Sequence, residues 1–483
     1  MRESWATSQD GTPDATPDGA GADLHLDLTG PGGVRANLIR ALRDAVRTGR
    51  LAPGTRLPSS RSLAVDLGLA RNTVADAYGE LVAEGWLTAR QGSGTRVARR
   101  AAPRAPERRT TPPRPAARPT YDLRTNSADV SAFPRAAWLS AARRALAKAP
   151  NEALGYSDGM GRPELRAALA DYLARARGVR ADPARIVVCA GYMQGLALLG
   201  RVLRQRGIRE LGVEEYGLWF HRDVIARAGL RGRPLPVDER GADVGELDAH
   251  RNVRAVLLTP AHQFPTGAPL HPDRRAAVVD WASRTGGLIL EDDYDGEFRY
   301  DRQPVGSLQG LAPEHIVYCG TVSKSLAPGL RLGWLVLPEH LVGDVLELKR
   351  TGEWGSGVLD QLTLAEFITS GAYDRHVRAM RLRYRRRRDQ IVAALAEHAP
   401  HVRVTGIAAG LHAVLELPPG TERTALQAAA WDGLALEGLS RFRHPDATGA
   451  PGAPDALVVA YGTAADHAFP SVLEALLRAL PPA

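Results

Sequence analysis

A single lysine stands in a stretch of small and apolar residues, YCGTVSKSLAPGLRLGW, which runs from residue 318 to residue 334. A lysine amine attacks a carbonyl only when it is neutral, and apolar surroundings lower its pKa toward that state. Thr321 and Arg331 flank Lys324, and a hydroxyl and a guanidinium are groups that suit a phosphate. The spacing therefore predicts a nucleophilic lysine beside a phosphate site, and the alternative is an exposed lysine on a loop.

Acidic residues follow an apolar run upstream of this lysine, in GLILEDDYDGEFRY. The run predicts a buried strand, and the carboxyl end of a parallel strand faces the ligand crevice of an α/β sheet. Asp292 and Tyr294 are two residues apart and would share one face of that strand. A carboxylate in this place can keep a pyridine nitrogen protonated, which is what a pyridoxal ring requires. A second apolar run, VRAVLLTPAHQFPTGAPL, also leads into a polar turn before Pro265.

The elements that must position these residues alternate along the chain from residue 121 to residue 483. Six apolar runs predict strands: RIVVCAG, RELGVEEY, VRAVLLTP, GLILEDDY, HIVYCGT and GWLVLP. Amphipathic stretches between several of them predict helices, and this alternation indicates an α/β domain with a mostly parallel sheet. From about Val377 an arginine-rich helix leads into a smaller α+β segment. Apolar residues interspersed around Arg385–Arg388 favour a solvated helix face over a nucleic-acid patch.

The segment from residue 31 to residue 98 has the outline of a winged helix-turn-helix domain. Helices are predicted over about 37–48, 59–67 and 71–84, and the runs WLTAR and TRVA, joined by QGSG, predict a hairpin. From residue 31 to residue 100 the chain has 12 arginines and 5 acidic residues, so this segment holds a net +7 of the total of +8. The excess suggests contacts with nucleic-acid phosphates, and the alternative is a role in solubility.

Two segments are too poor in apolar residues to build a core. Residues 1–30 are rich in Asp, Thr, Pro and Gly and are predicted to form a disordered tail. Residues 99–120 are predicted to form a linker, since six of the 21 residues from 99 to 119 are proline and seven are arginine. Proline favours the extended polyproline II conformation, so the linker is expected to be semi-rigid.

The composition excludes several classes of protein. The chain has 483 residues, of which 44% are apolar, so two or three globular domains are expected. We find no uninterrupted apolar run of 18 residues and no signal peptide, which predicts a cytoplasmic protein. Cys189 and Cys319 are the two cysteines and no CxxC motif is present, so neither a disulfide framework nor a metal site is expected.

Together these motifs resemble two related protein groups. The order of HQFPTG, EDDYD and an SK dipeptide followed by an arginine is similar to that of the pyridoxal-phosphate-dependent aminotransferases of fold type I, from about residue 122 to the end. With a winged helix-turn-helix in front, the whole chain resembles the MocR subfamily of GntR-type transcription regulators. EDDYDGEF and GTVSKSLAPGLRLGW are specific to that subfamily, and LPSSRSLAVDLGLARNTVADAY resembles its DNA-binding head.

The resemblance implies pyridoxal 5'-phosphate as the cofactor and a role for each matching residue. Lys324 would form the internal aldimine. Asp292 would pair with the pyridine nitrogen and Tyr294 with the phenolic oxygen, while Thr321 and Arg331 would hold the phosphate.

Three further residues match more distant parts of the cofactor site. Tyr156, in LGYSDGMGRPELR, matches the tyrosine that reaches the cofactor phosphate of the partner subunit, which implies a homodimer. His262 and Gln263 stand where contacts with the cofactor ring are made, although this chain has an extra residue before Pro265.

The resemblance also implies the DNA-binding residues and the function. Arg61, Arg71 and Thr73 match positions that contact phosphates and bases, Gly92 and Gly94 shape the tip of the wing, and Arg90 lies beside it. The implied protein is a transcription regulator that binds operator DNA and senses a small amine, an amino acid or the cofactor itself. Two alternatives are a working aminotransferase with an accessory DNA-binding head and a DNA-binding protein that uses the second domain only to dimerise.

Three departures from the family pattern concern the ligand. Tyr192 and Met193 replace small or polar residues after the strand RIVVCAG, and EEYGLWF replaces the PGY motif after the next strand. Aminotransferases bind the substrate carboxylate through an arginine near the last strand, but DALVVAYGTA contains none. Arg441 and Arg443 are the nearest candidates, which leaves both full transamination and the identity of the effector open.

Overall fold

The fold is taken from a computed structural model, which describes residues 4–6, 24–90, 94–99, 119–125, 128–155, 159–300, 306–352, 356–447 and 454–482. The chain divides into two compact units, residues 1–117 and residues 118–483. This division falls within the segment 99–120 that the sequence predicts as a linker.

The N-terminal unit combines three helices with two antiparallel strand pairs. Its elements are β1 (Ser4–Ala6), β2 (Leu24–Leu26), α1 (Val34–Arg47), α2 (Ser60–Leu67), α3 (Arg71–Ala83), β3 (Leu87–Arg90) and β4 (Gly94–Val97). The Ser59 hydroxyl accepts a hydrogen bond from the Ser62 amide and begins α2, and Gly68 ends that helix in the left-handed conformation. The tight turn that follows leads directly into α3, as a helix-turn-helix requires.

The core of this unit joins leucines from all three helices to the hairpin. Leu38, Leu63 and Leu81 are fully buried, and Leu87 and Val97 close the core from β3 and β4. Leu24 and Leu26 are buried in the same cluster, so the core begins before the domain boundary predicted at residue 31. The segment LHL is only three residues long, so its alternation of apolar and polar residues cannot distinguish a strand from a disordered tail. Its two leucines become buried only against helices that come later in the chain.

The strands of the C-terminal unit form a large sheet and several smaller pairs. In chain order they are β5 (Tyr121–Asp122), β6 (Ile186–Cys189), β7 (Glu210–Glu214), β8 (Arg231–Leu235), β9 (Val237–Asp238), β10 (Gly241–Ala242), β11 (Val253–Leu258), β12 (Leu288–Asp292), β13 (Ile316–Thr321), β14 (Gly333–Val336), β15 (Arg403–Thr405), β16 (Ala413–Glu416), β17 (Leu434–Ala435), β18 (Glu437–Gly438) and β19 (Ala456–Val459). The large sheet has the order β6-β14-β13-β12-β11-β7-β8, and β14 runs antiparallel to its two neighbours while the other pairings are parallel. A second sheet of four strands has the order β15-β16-β19-β18.

Helices cover both faces of the large sheet. The helices of this unit are α4 (Arg135–Lys148), α5 (Pro163–Arg177), α6 (Tyr192–Gln205), α7 (Trp219–Arg227), α8 (Glu246–Ala249), α9 (Pro272–Thr285), α10 (Glu339–Gly352), α11 (Val358–Thr369), α12 (Ala372–His398), α13 (Glu422–Trp431) and α14 (Phe469–Ala479). Along β6, Ile186 and Val188 pack with α5 and α11, while Val187 and Cys189 pack with α6. Because both faces are buried, the inner strands read as continuous apolar runs.

The α/β class with a mostly parallel sheet is confirmed, and all six predicted strands of the sheet are present. The seventh strand, β8, was not predicted. Its sequence, RGRPL, is half-buried along most of its length and lies at the edge of the sheet, where little apolar surface needs to be covered. An edge strand of this kind lacks the apolar run on which strand prediction depends.

The arginine-rich run lies on α12 and is divided between two environments. Arg387 is buried and bonds to Asp129 and Asp466, whereas Arg385 and Arg386 are exposed. The prediction of a helix with one solvated face therefore agrees with the structure. Within the described residues we find no helix long and apolar enough to cross a bilayer.

One test of this fold addresses the pair β13–β14, which brackets the lysine loop. A Cβ added at Gly320 of β13 would overlap the buried indole of Trp334 on β14. Gly320→Ala should therefore lower the free energy of unfolding by about 1–3 kcal/mol, as overpacking in a core does. Thermal and denaturant unfolding of the purified variant measure the change.

Gly329→Ala provides the matched control, since an added Cβ there has no neighbouring atom within 4 Å. Equal stability of the two variants would contradict the packing of Trp334 across Gly320.

Candidate functional site

A cavity of about 230 Å³ opens at the carboxyl ends of four parallel strands of the large sheet. Glu214 ends β7, Thr259 follows β11, Asp292 ends β12 and Thr321 ends β13, and all four line the cavity. This is the edge at which open α/β sheets bind ligands, because polar residues that follow buried strands converge there.

Five of the residues predicted for the cofactor site line this one cavity. They come from two strand ends and from the loop between β13 and β14: Asp292, Tyr294, Thr321, Lys324 and Arg331. The structure thus brings together a lysine, a carboxylate, a phenol, a hydroxyl and a guanidinium that are up to 39 residues apart in the chain.

Lys324 lies in the loop after β13, and its amine donates a hydrogen bond to the carbonyl of Thr125 at 3.0 Å. Burial lowers the pKa of Lys324, and the carboxylates of Asp295 and Asp292 offset part of that effect. The amine is therefore closer to its neutral, nucleophilic form than an exposed lysine.

Asp292 is buried at the end of β12, and its Oδ1 has no hydrogen-bond partner among the described residues. The hydroxyl of Tyr192 is also buried without a partner of normal geometry. Burial raises the pKa of Asp292 well above its usual range; the Tyr192 hydroxyl, which is near the carboxyl but not aligned for a hydrogen bond, offsets part of the shift, and the carboxylate of Asp293 adds to it. A buried carboxyl without a donor is costly, so this oxygen marks a place where a ligand donor or cation would be stabilised.

The phenol of Tyr294 is held from behind by a buried histidine and a buried carboxylate. The Tyr294 hydroxyl donates to the carbonyl of His262 at 3.2 Å and lies 3.0 Å from His262 Nδ1, which is 2.8 Å from Asp295 Oδ2. Burial, together with the charges of Asp295 and Asp292, raises the pKa of Tyr294 well above its usual range. The phenol therefore stays protonated, and its one hydrogen is directed to the His262 carbonyl unless a ligand in the cavity offers a better acceptor.

The loop that joins β13 to β14 carries Lys324 near its start and Arg331 near its end, and Arg331 lies beside the N-terminus of α6. Arg331 adopts a left-handed backbone conformation with φ of 53° and has the one positive φ among the described residues other than glycine. A Cβ added at Gly191, the residue before α6, would lie 3.4 Å from Arg331 Nη1. The amide end of a helix and a guanidinium form a favourable setting for an anion.

Thr321 faces the same cavity, but its hydroxyl also closes the lysine loop. Its Oγ1 donates to the carbonyl of Leu332 at 3.0 Å and accepts from the Ser323 amide at 3.2 Å. Ser323 also lines the cavity, and its hydroxyl lies 2.9 Å from Thr321 Oγ1. Sequence analysis did not single out Ser323, although it lies next to Lys324.

His262 and Gln263 do not line the cavity, in contrast to the predicted ring contacts. Gln263 instead joins strand ends, since its amide donates to Glu214 at 3.2 Å and to the carbonyl of Tyr216 at 3.0 Å. Its Oε1 accepts from the Thr266 hydroxyl. The loop HQFPTG therefore turns both side chains into the protein, where His262 supports Tyr294 rather than the cavity. Tyr156 lies outside the described residues.

A buried group of two histidines and one carboxylate borders the cavity, which one of the histidines, His412, also lines. The ligand atoms of His262, Asp295 and His412 are within 4.8 Å of one another, a spacing at which a metal ion could bind. Asp295 instead contacts His262 at hydrogen-bond distance, and His412 Nε2 bonds to the carbonyl of Pro265 at 3.0 Å. Burial lowers the pKa of His412 to about 3, so its ring is neutral in this network.

Several cavity residues were missed by sequence analysis. Burial raises the pKa of Glu214 to about 7, although Thr259 and Gln263 donate to its carboxylate. His221 and Arg222 reach the cavity from α7. An acidic pair after an apolar strand is the same signal that identified Asp292, so Glu214 could have been found in the same way.

The DNA-binding residues predicted in the N-terminal unit lie on and beside the helix-turn-helix. Arg61 is exposed in the first turn of α2, and Arg71 is exposed at the first position of α3. Thr73 is half-buried in the first turn of α3. The structure therefore brings the two arginines to the N-terminal ends of the two helices.

The hairpin of β3 and β4 occupies the place of the wing. Arg90 is exposed at the end of β3, and Gly94 begins β4 with φ of 79°, a conformation that glycine adopts without strain. Gly92 lies outside the described residues.

Two family models match the chain, one within each of the two units. Residues 35–97 match the bacterial regulatory proteins of the gntR family, and residues 121–442 match aminotransferase class I and II. The pyridoxine biosynthesis transcriptional regulator PdxR of Corynebacterium glutamicum is 33% identical over 92% of this chain and 95% of its own length. The chain belongs to the MocR subfamily of GntR-type regulators.

Other members of the subfamily match over most of their lengths. The probable rhizopine catabolism regulatory protein MocR of Rhizobium meliloti is 33% identical over 88% of this chain and 91% of its own. The transcriptional regulator TauR of Rhodobacter capsulatus is 32% identical over 86% of this chain and 91% of its own. Both carry names of regulators, and the match spans the head and the second unit in each.

Solved structures match the second unit. An archaeal alanine:glyoxylate aminotransferase is 25% identical with a TM-score of 0.66, covering 74% of this chain and 89% of its own. The α-aminoadipate aminotransferase LysN of Thermus thermophilus, at 23% identity and a TM-score of 0.65, covers 74% of this chain and 91% of its own and shares the fold. The C-terminal unit thus has the fold of a type I aminotransferase.

The raised pKa of Glu214 predicts a pH-dependent loss of stability. Because the folded-state value of about 7 lies above the ordinary value of 4.5, the folded protein binds more protons than the unfolded chain between these two values. The contribution of Glu214 to the free energy of unfolding should therefore fall by roughly 3 kcal/mol as the pH rises from about 4.5 to about 7. Glu214→Gln should lack this part of the pH dependence.

Denaturant unfolding of the cofactor-free wild type and of Glu214→Gln at several pH values isolates this contribution. The exposed Glu246→Gln serves as control and should run parallel to the wild type. Parallel pH curves for the wild type and Glu214→Gln would contradict the raised pKa.

Proposed function

We propose that this protein is a cytoplasmic, homodimeric transcription regulator. In the proposal the N-terminal unit binds double-stranded operator DNA, and the cavity of the C-terminal unit binds pyridoxal 5'-phosphate. A small amine, an amino acid or the cofactor itself then acts as the effector. The observation that carries the proposal is the meeting of Lys324, Asp292 and Arg331 in one cavity of a chain that also has a gntR-family head.

The cavity residues fit pyridoxal phosphate in three ways. The unsatisfied Oδ1 of Asp292 suits a protonated pyridine nitrogen, and the protonated phenol of Tyr294 suits the phenolic oxygen. Arg331, Thr321 and the first amides of α6 suit the phosphate. When bound, the cofactor supplies an aldehyde that condenses with primary amines.

Residues of the cavity and its surroundings would prepare the lysine amine and position the tyrosine hydroxyl. The lowered pKa of Lys324 favours the neutral amine that an aldehyde requires. Arginine could not replace it, because a guanidinium stays protonated in proteins. His262 and Asp295 keep the hydroxyl of Tyr294 in place from behind the cavity.

The charge pattern of the head supports DNA binding through α2 and α3. Arg35 and Arg43 of α1 form ion pairs with Glu80 of α3 and with Glu84, the residue that follows α3, so their charge is largely compensated. The described residues give Arg61 and Arg71 no such pair. Exposed cations without a protein partner are suited to the phosphates and base edges of DNA.

The remaining predicted DNA contacts are proposed for the same domain. We assign Thr73 to the recognition helix and Arg90 to the wing, where Gly94 begins β4 in a conformation that suits glycine, and Gly92 stays a proposed wing-tip residue. Residues 31–98 are thereby proposed as the DNA-binding domain, 99–120 as the linker and 121–483 as the effector domain.

A homodimer is proposed from the match of Tyr156 to a tyrosine that crosses between subunits. Exposed leucines on and beside α4 give the C-terminal unit apolar surface that a second copy could cover: Leu139, Leu146, Leu154 and Leu359. Two heads in one dimer would bind two half-sites of an operator.

A working aminotransferase is the alternative, and one observation departs from the pattern of that class. Aminotransferases bind the substrate carboxylate through an arginine near the last strand, but β19 is four buried residues without charge. Val458 lies there in an apolar cluster with Phe264 and Phe442.

The first test of the proposal replaces the lysine. Lys324→Ala should lose the visible absorbance of the bound cofactor, since no primary amine remains to condense with its aldehyde. Borohydride reduction of the loaded wild type, followed by mass spectrometry, should place the label on Lys324 in stoichiometric amount. The separate head should still bind operator DNA.

Lys349→Ala serves as control, because Lys349 is a buried lysine that binds the carbonyl of Gly159 and does not line the cavity. Stoichiometric label on another lysine in the wild type would refute the role of Lys324.

The second test concerns the head. Arg71→Ala should weaken operator binding about tenfold or more, since a base contact is worth about 1–3 kcal/mol. Arg61→Ala should weaken binding and make the logarithmic dependence of affinity on salt shallower by about one, as loss of a phosphate contact does. Fluorescence anisotropy with operator DNA at several salt concentrations measures both.

Arg43→Ala removes the same charge from the face of α1 that pairs with Glu84. Its operator affinity should stay within about threefold of the wild type after correction for any loss of stability. Equal affinities for all three variants would refute the assignment of α2 and α3.

A further inference from the structure

We propose that Arg222 binds a carboxylate of the effector, so that the effector is an amine that carries a carboxylate. The inference rests on the proposed function, because it assigns the second half of the same cavity. The arginine comes from α7, an element that sequence analysis did not connect with the ligand.

Arg222 is a half-buried cation that lines the cavity without an acidic partner. Its Nη1 donates to the carbonyls of Gly217 and Phe442 at 3.0 Å and 2.9 Å, and its Nη2 donates to the carbonyl of Arg443 at 3.3 Å. Within the described residues no carboxylate forms an ion pair with it. Burial lowers the pKa of Arg222, and the charge of the neighbouring Asp223, which forms no ion pair with it, offsets part of that effect.

The two arginines that the sequence offered for this role are already compensated. Arg443 forms an ion pair with Glu215 at 2.8 Å, and Arg441 lies 3.3 Å from Glu437. Neither lines the cavity. Among these three arginines, Arg222 is therefore the one that lines the cavity and has no ion-pair partner, so an anion that enters the cavity would contact Arg222.

The other ionisable groups that line the cavity have assignments of their own. Lys324, Asp292 and Arg331 are the residues proposed to bind the cofactor. The carboxylate of Glu214 accepts from Thr259 at the ends of β7 and β11, and its raised pKa favours the neutral form. Arg222 is the fixed charge that remains for a second ligand.

The position of Arg222 relative to Lys324 defines the kind of ligand. The half-buried His221 also lines the cavity, and its removal from water together with the nearby charges of Lys324 and Arg222 lowers its pKa to about 3. This histidine is thus neutral and does not compete for a carboxylate. Because Lys324 and Arg222 line the same cavity, the ligand we propose has an amine at one end for Lys324 and a carboxylate at the other for Arg222.

Much of the remaining lining is apolar or aromatic and includes Leu218, Phe220, Phe264 and Leu411. Such a lining excludes water from the carboxylate–guanidinium contact, which strengthens it. It would also accommodate the aliphatic part of an amino acid.

A purely structural role for Arg222 would be to brace the segments around Gly217 and Phe442 through their carbonyls. That role predicts a loss of stability on substitution but no preference for carboxylates. The experiment therefore measures ligand selectivity first on the wild type, where folding is not in question.

The probes are α-, β- and γ-amino acids, each compared with its own carboxamide on the full-length protein loaded with pyridoxal phosphate. Titration is followed by the change in visible absorbance. At least one amino acid should bind, and its carboxamide should bind at least tenfold more weakly. Arg222→Gln should remove this ratio, Arg222→Lys should restore part of it, and Arg227→Gln, exposed on the same helix, should retain it.

Equal affinity for the amino acid and its carboxamide in the wild type would overturn the inference, and so would an unchanged ratio in Arg222→Gln. Binding of the cofactor and of operator DNA without a response to any amino acid would also overturn it and leave the proposed function intact. Failure of the wild type to bind pyridoxal phosphate would instead reject the proposed function.

Discussion

The burial of a carboxylate at the end of β12 is the constraint on which the rest of the cavity depends. Asp292 has an oxygen without a hydrogen-bond partner among the described residues, and burial raises its pKa well above the usual range. An isolated buried carboxylate costs several kcal/mol unless it is protonated or meets a cation. A protonated pyridine nitrogen next to Asp292 would stabilise the charged form of this carboxylate. Binding of the cofactor would therefore change the ionisation state of Asp292 and the free energy of the cavity.

The geometry of the sheet places the other groups around that carboxylate. β13 lies beside β12, and β14 returns antiparallel beside β13, so the loop between them holds Lys324 and Arg331 over the same edge. Arg331 takes a left-handed conformation there, which a residue other than glycine keeps only when its surroundings hold it. Lys324 and Arg331 are thereby held in a loop that joins two adjacent strands, next to Asp292 at the end of β12. Two ligand-dependent states of such a site can bias the DNA-binding heads only if each state makes different contacts.

Much of this arrangement was predictable from the sequence, because apolar runs ending in polar residues identify strand ends. Asp292 and Thr321 were found in this way, and Lys324 was found by its apolar setting. The positions of Gln263 and Arg222 were not predictable, since they depend on contacts distant in the chain. Gln263 joins the ends of neighbouring strands, and Arg222 binds the carbonyls of residues 442 and 443, more than 200 positions away. Strand β8 escaped prediction because an edge position does not demand an apolar run.

The central claim is that occupancy of the cavity controls the affinity of the full chain for its operator. The direct test is the operator dissociation constant of the full-length protein at one fixed salt concentration, measured without cofactor, with pyridoxal phosphate, and with pyridoxal phosphate plus each amino acid. The account predicts that at least one of these conditions changes the constant by about fivefold or more, the usual scale of allosteric coupling. Dissociation constants that agree across all conditions, in a protein whose cavity is demonstrably loaded, would contradict it.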